Sequence, residues 1–268
     1  MAMDPTARFS DRVALYQRYR PSYPPQVIAL LRRDCGLTAE AVVADIGSGT
    51  GIFTRLLLAT GARVFAVEPN AEMRQAGEQL LAGEPRLTSL PGRSEATGIA
   101  PGSIDLYTAA QAFHWFDQQA ARREMLRILK PSGSIAILFN DRQTTTTPLL
   151  IAYEELLKRF ATDYHLVDHR RVDQTQLAAF CAPFPIRTVH LPSQQLFDFE
   201  GLSGRLNSSS YAPPAGHPAH APMMDELARL FTRHAVDGHV AIHYTTEVTI
   251  CRRGAVLPGD PTGTPVDR

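Results

Sequence analysis

The chain has 268 residues, enough for one large domain or a domain with a sizeable insertion. Its 27 basic residues balance 27 acidic ones, so no bulk field directs it to nucleic acid or to an anionic membrane. The three cysteines, Cys35, Cys181 and Cys251, are scattered and form no Cys-x-x-Cys, which fits buried free thiols and excludes a disulfide scaffold. Residues 1–10 carry no apolar stretch of a secretory signal, and no run approaches the ~18 apolar residues of a membrane span, so the expected compartment is the cytoplasm.

In chain order, residues 9–23 combine aromatic and basic side chains. Ser10 or Asp11 can cap a helix through Tyr19, which Pro21, Pro24 and Pro25 stop. A second helix is predicted from Gln26 to Asp34, with Gly36 behind it. Val42 to Ala44 reads as a buried strand with Asp45 near its end, and residues 52–59 have helical spacing. Residues 62–67 form a second strand ending in Glu68, and Asn70 and Ala71 open a helix towards Leu81. Leu87 to Leu90 and Ser103 to Ala110 read as the third and fourth strands. Asp117 caps a helix to Leu129, residues 130–133 (Lys-Pro-Ser-Gly) read as a turn, and residues 134–139 as a fifth strand. This alternation predicts an α/β fold with a doubly wound, mostly parallel sheet.

Beyond Asn140 the pattern changes. Residues 148–160 look helical, 186–191 extended, 199–206 helical, 223–236 amphipathic, and 240–251 alternate as a long strand. Residues 144–185 are expected to form an inserted helical lid. Residues 254–268, rich in Pro, Gly and polar side chains, are expected to form a disordered tail.

The chemistry concentrates at residues 42–51, Val-Val-Ala-Asp-Ile-Gly-Ser-Gly-Thr-Gly. A strand, a glycine turn and a helix allow backbone to approach a ligand at the carboxyl end of the strand. The dinucleotide pattern needs glycine three residues after Gly49, where Ile52 stands, and no Walker-type lysine follows. The turn suits a nucleoside without a pyrophosphate, and Glu68 is placed to accept both ribose hydroxyls. Asp45-Ile-Gly-Ser-Gly-Thr-Gly with Glu68-Pro69 resembles the class I S-adenosylmethionine-dependent methyltransferases, of the small-molecule subgroup like methyltransferase type 11. The resemblance implies a seven-stranded Rossmann-like sheet whose final strand is antiparallel. It implies one domain over residues 1–253, with a cap at 9–35 and a cofactor core at 40–140. The cofactor would be S-adenosylmethionine, released as S-adenosylhomocysteine.

Carried residue by residue, the resemblance implies that Asp45 meets the cationic amino end of the cofactor and that Gly47, Ser48, Gly49 and Gly51 let the backbone approach it. Glu68 would bind the ribose. Pro69 would support the adenine, and Met73 would wall it or belong to the core. Ser94 or Glu95 would meet the adenine amine, although Arg93-Ser94-Glu95 stands where Gly-Asp-Ala is common. Tyr16 and Arg20 would close from the cap, Arg20 pairing with the cofactor carboxylate. Gln111-Ala-Phe-His-Trp115 resembles a segment of the small-molecule subgroup. Gln111 falls to the cofactor, and Phe113 and Trp115, with Tyr23 and Tyr211, to the acceptor, although at least one aromatic of this stretch is expected in the core. His114 is the candidate base or positioner, or a histidine packed within the aromatic cluster. Imidazole titrates near neutrality and can take a proton from a hydroxyl.

The expected function is methyl transfer to a small-molecule oxygen, nitrogen or carbon, with no metal. A non-catalytic S-adenosylmethionine-binding protein and, against Ile52, a nucleotide-dependent oxidoreductase are the alternatives. His165 and His169, four residues apart beside Asp163 and Asp168, have a spacing that can bind metal but lack a His-Glu-x-x-His pattern.

Overall fold

Runs of alternately facing apolar residues pair into one sheet of seven strands: β1 (Val42–Ile46), β2 (Arg63–Val67), β3 (Leu87–Leu90), β4 (Ile104–Ala110), β5 (Leu129–Arg142), β6 (Ile186–Phe197) and β7 (Val240–Arg252). The computed structural model describes residues 18–162, 164 and 172–253. The strand order is β3-β2-β1-β4-β5-β7-β6. The first five strands pair in parallel, and β7 runs antiparallel to both β5 and β6. This is the expected Rossmann-like arrangement with its antiparallel strand. The predicted helix at the start of the chain, Tyr16, the pair His165 and His169, and the tail at 254–268 lie outside the described residues, apart from Arg18 onward.

The period-two pattern assigns the two faces of the sheet. Val43, Val64, Leu106, Leu138 and Val248 face helices α1 (Pro25–Asp34) and α2 (Ile52–Leu58). Ala44, Ile46, Tyr107, Ile135 and Ile137 face α4 (Gln118–Ile128) and α6 (Gln174–Cys181). Between them in sequence, α3 (Ala71–Leu80) lies against the glycine turn, where a β-carbon on Gly77 would meet the Gly49 carbonyl oxygen at 3.3 Å. Its cap is the expected Asn70, whose side chain accepts the Met73 amide. Asp117 caps α4 as predicted, taking the amides of Gln119 and Ala120.

Two expectations change. Residues 130–133 are not a free turn: β5 begins at Leu129 and is irregular there, because its register against β4 shifts between Ile104 and Leu106. Nor do the two described helices of the expected lid at 144–185 pack as one unit. Helix α5 (Pro148–Phe160) joins a third apolar cluster with α7 (Phe199–Asn207) and α8 (His220–His234), which come from the β6–β7 connection. Helix α6 instead buries Leu177, Phe180 and Cys181 on the sheet. Periodicity identifies α5, α7 and α8 but not α6, nor which core each one joins.

The loop after β3 is fastened by a buried carboxylate. Glu124 of α4 accepts the amide and hydroxyl of Thr97 at 2.8 and 2.5 Å and pairs with Arg127, which also holds the Ile99 carbonyl. The Arg127 guanidinium, with Thr97, holds the Glu124 carboxyl at about 2, against an ordinary 4.5. A lowered carboxyl stabilises the fold above its unfolded value and loses that contribution as pH falls. Glu124 should therefore supply about 2–3 kcal/mol at neutral pH, withdrawn between about pH 4.5 and 2. Denaturant unfolding of Glu124→Gln at pH 7 should show that loss, and its stability should depend less on acid than the wild type's. An unchanged midpoint would show that the network contributes nothing.

Candidate active site

At the carboxyl end of β1 the chain must reverse into α2 within a few residues. The amides of Gly47 and Ser48 donate to the Val67 carbonyl at 2.8 and 3.1 Å, so the tip of β2 holds the turn. Gly47 has φ +69°, and a β-carbon there would sit 2.4 Å from that of Ala112, so no other residue fits. Gly49 differs: at φ +56° its missing β-carbon would meet only Met73 Cε, at 3.4 Å, leaving open space. Gly51 does not line the cleft. Its missing β-carbon points at Leu81, 2.9 Å from Cδ1, so it lets α3 approach rather than a ligand.

Asp45 is buried, and both its oxygens are used: Oδ2 accepts the Thr54 hydroxyl at 2.7 Å and Oδ1 the Thr108 hydroxyl at 2.9 Å. Thr108 is brought there by register, being the partner of Asp45 across the β1–β4 pairing. Burial raises the carboxyl to about 6 from 3.8, against the two hydroxyls, with the Glu68 charge adding to the rise. An acid raised in this way is most comfortable below 3.8. Its ionisation at neutral pH costs on the order of 3 kcal/mol of stability, incurred between about pH 3.8 and 6 and complete above that.

Glu68 ends β2. Its Oε2 accepts the Gly49 amide and its Oε1 the Asn70 amide, each at 2.9 Å. Burial raises this carboxyl too, and the two amides offset part of the rise. Each oxygen keeps a second lone pair. Ser94 and Glu95 follow on the loop fastened by Glu124. The Ser94 hydroxyl donates to Glu95 Oε1 at 2.6 Å, and the same oxygen accepts the Asp117 amide.

These groups line one cleft of about 280 Å³. The structure brings to it Arg20, Tyr23, Asp45, Gly47, Ser48 and Gly49, and then Glu68, Pro69, Met73, Ser94 and Glu95. Gln111, His114, Trp115 and Tyr211 complete the set. Gln111 sits at φ +58°, a costly backbone for a glutamine, held by its amide to the Leu138 carbonyl and by Nε2 to the Asn140 carbonyl. His114 and Trp115 lie on a short 3-10 turn, Phe113–Trp115, with ring centroids 4.7 Å apart. Phe113 on the same turn is placed differently. It is fully buried edge-on against Phe116 and Phe180, so it is a core residue and not part of the acceptor wall. Tyr23 packs edge-on against Phe53.

Several lining residues carry no local signature: Asn140, Arg142, Tyr164 and Arg205. Asn140 donates to the Ser22 carbonyl and accepts the Thr246 hydroxyl, which fastens the segment after Arg20 across the sheet end. Among the described residues no three His, Cys, Asp or Glu side chains gather as metal ligands, and no helix is long and apolar enough to cross a membrane.

Residues 44–137 match the family model for a methyltransferase domain. An uncharacterized methyltransferase of Mycobacterium tuberculosis (strain ATCC 25618 / H37Rv) is 37% identical over 139 residues, 52% of this chain and 54% of the relative. The chain thus spans about half the length of such relatives. Among solved structures, a candidate type II methyltransferase from Anaeromyxobacter dehalogenans superposes with a TM-score of 0.64 at 22% identity, covering 87% of this chain and 97% of that one. A phosphoethanolamine N-methyltransferase of Haemonchus contortus, in complex with phosphomonomethylethanolamine and S-adenosylhomocysteine, gives a TM-score of 0.53 at 16% identity, covering 91% of this chain and 57% of that one. At such identities the structural likenesses carry the fold. With the matched domain and the sequence relatives, they agree with the sheet order and the glycine turn: residues 44–137 match a methyltransferase domain, set in a sheet with the fold of solved methyltransferases.

Proposed function

We propose that this chain transfers a methyl group from S-adenosylmethionine to a small-molecule acceptor held in the same cleft. The observation that carries this reading is the convergence of the glycine turn, Glu68 and the Ser94-Glu95 loop with His114, Trp115 and Tyr211 on one cavity. The residues fit the cofactor. The space beside Gly49 is open, the Glu68 carboxylate keeps lone pairs for two hydroxyls, and the Thr50 hydroxyl, buried in the lining, has no partner among the described residues. Asp45, ionised at a cost, would be relieved by an ammonium group.

S-adenosylmethionine supplies an electrophilic methyl on a sulfonium, whose leaving group is a neutral thioether. The chain has no leaving group to protonate, so its work is to orient and to exclude water. In this reading Glu68 holds the ribose, Ser94 and Glu95 the adenine, Pro69 and Met73 wall the base, and Arg20 takes the carboxylate. Tyr16, outside the described residues, and Tyr23 would close the cap. His114 accepts a proton from a protonated acceptor or positions one already anionic. Trp115 and Tyr211 wall the acceptor.

Calorimetry should show binding of S-adenosylmethionine and S-adenosylhomocysteine and none of NAD; the reverse would end the reading. Glu68→Ala should weaken S-adenosylhomocysteine by about 1–3 kcal/mol, the scale of a hydrogen bond to a charged group. Gly49→Val should abolish binding, since a branched side chain at positive φ fills the open space.

Affinity should also fall in acid. Protonating Asp45 removes the charge that meets the ammonium, so S-adenosylhomocysteine binding should weaken as pH drops through about 6. Below that point the loss should approach about tenfold per pH unit. Asp45→Asn should bind weakly and respond less to pH. A wild-type affinity constant from pH 7.5 to 5 would remove Asp45 from this role.

His114→Ala should keep near-normal cofactor affinity while turnover falls by about 10²-fold or more, the scale of general-base catalysis. The readout is product mass across a metabolite panel. A folded variant with unchanged turnover would make His114 a packing residue.

A further inference from the structure

The cleft is electrically divided. Asp45, Glu68 and Glu95 lie at the end formed by β1, β2 and the loop after β3, with Arg93 the one cation among them in the lining formed by the described residues. The other end, formed by β5 and the helices of the third cluster, presents Arg20, Arg142 and Arg205, against Asp141.

Arg205 is the unusual member. It is only 7% exposed, and its partners are neutral: Nε donates to the Tyr244 hydroxyl at 3.2 Å and Nη1 to the Ser209 hydroxyl at 3.0 Å. Among the described residues no carboxylate pairs with it, and its Nη2 makes no hydrogen bond. Tyr244 is fixed in turn, its hydroxyl donating to Gln195 at 3.0 Å, so the guanidinium is held from behind. A buried guanidinium without a counter-charge is costly and uncommon unless a ligand completes it. Arg142 is better matched. Its Nη2 meets Glu154 at 2.5 Å and the Tyr164 hydroxyl at 3.1 Å, and its guanidinium lies 5.0 Å from the Tyr153 ring.

Tyr211 stands on the same wall. Burial would raise its phenol, yet the charges of Arg205, Arg20 and Arg142, with a hydrogen bond to Ser209, hold it below its ordinary value. Three guanidiniums therefore converge on the wall that the methyl-transfer reading gives to the acceptor. That reading assigns Arg20 to the cofactor carboxylate, which leaves Arg205, flanked by Arg142, without an anion.

We infer that the acceptor carries an anionic group, a carboxylate or a phosphate, and that Arg205 with Arg142 binds it in the cleft beside Tyr211. A guanidinium fork matches either planar or tetrahedral oxyanions in bidentate fashion. The inference rests on the methyltransferase reading only for the word acceptor; the anion site itself is a property of these side chains.

The test is calorimetry on the full chain, with and without saturating S-adenosylhomocysteine. The probes are benzoate against benzamide, succinate against succinamide, and inorganic phosphate. Acids or phosphate should bind while the amides do not, and the better of the two arms identifies the oxyanion. Arg205→Gln and Arg142→Gln should each weaken that binding by about tenfold or more, as expected for removing a charge-assisted partner, and leave S-adenosylhomocysteine affinity unchanged. Should Arg205→Gln fail to fold, Arg205→Lys keeps the charge without the fork and should bind the anion at intermediate strength. Amides binding as well as acids, no anion binding at all, or anion binding indifferent to both arginines would each overturn the inference, as would a loss of cofactor affinity without loss of anion selectivity. Failure of the wild type to bind S-adenosylhomocysteine would sink the methyl-transfer reading instead, and the arm without cofactor keeps the two failures apart.

Discussion

The geometry of the cleft around the glycine turn depends on the Glu68 carboxylate. It takes the amides of Gly49 and Asn70, so one side chain fastens the glycine turn to the start of α3. The residue before it completes the clamp, with the Val67 carbonyl taking the amides of Gly47 and Ser48. The shape of the turn is therefore imposed from the tip of the neighbouring strand. Backbone amides in a chain reversal need partners as much as those in a strand, and here Val67 at the end of β2 and Glu68 just after it accept three of them. The same acid keeps acceptor capacity beyond the clamp, because a carboxylate accepts more than the two hydrogen bonds the fold uses.

Most of the sheet and its caps are legible in the sequence, because they rest on local rules. A short apolar run followed by Asp45 and glycines, or Asp117 ahead of an amphipathic stretch, says where a strand ends and where a helix starts. The parts that are not legible are those decided by register and by distance along the chain. Thr54 and Thr108 reach Asp45 only because α2 packs and β4 pairs as they do. Arg142 and Arg205 stand on elements far apart in sequence, and no spacing relates them. The 3-10 turn shows the limit most sharply. Three consecutive aromatic rings share it, and the backbone sends Phe113 into the core while His114 and Trp115 line the cleft. A turn so short has no periodicity from which that division can be phased.

Asn140 is a joint between parts of the molecule that the sequence keeps separate. Through its side chain and carbonyl it touches Ser22 near the start, Gln111 after β4 and Thr246 in β7. The strained backbone of Gln111 is held at this joint, on the cleft wall next to the turn that carries His114. The segment after Arg20 and the Gln111 backbone beside the His114 turn are thus fixed to a common point at the end of β5, rather than to each other.

Helices α5, α7 and α8 have an apolar cluster of their own. Leu150, Leu157, Leu202, Leu206, Met223 and Leu227 pack among themselves and against the outer ends of β6 and β7, apart from the two clusters that sandwich the cofactor strands. Substitutions in separate packing units tend to act additively. A lineage can therefore change that cluster residue by residue while the strands that carry the glycine turn retain their own stability. The architecture divides what is inherited from what is free to diverge, and it draws the line through the middle of a single cleft.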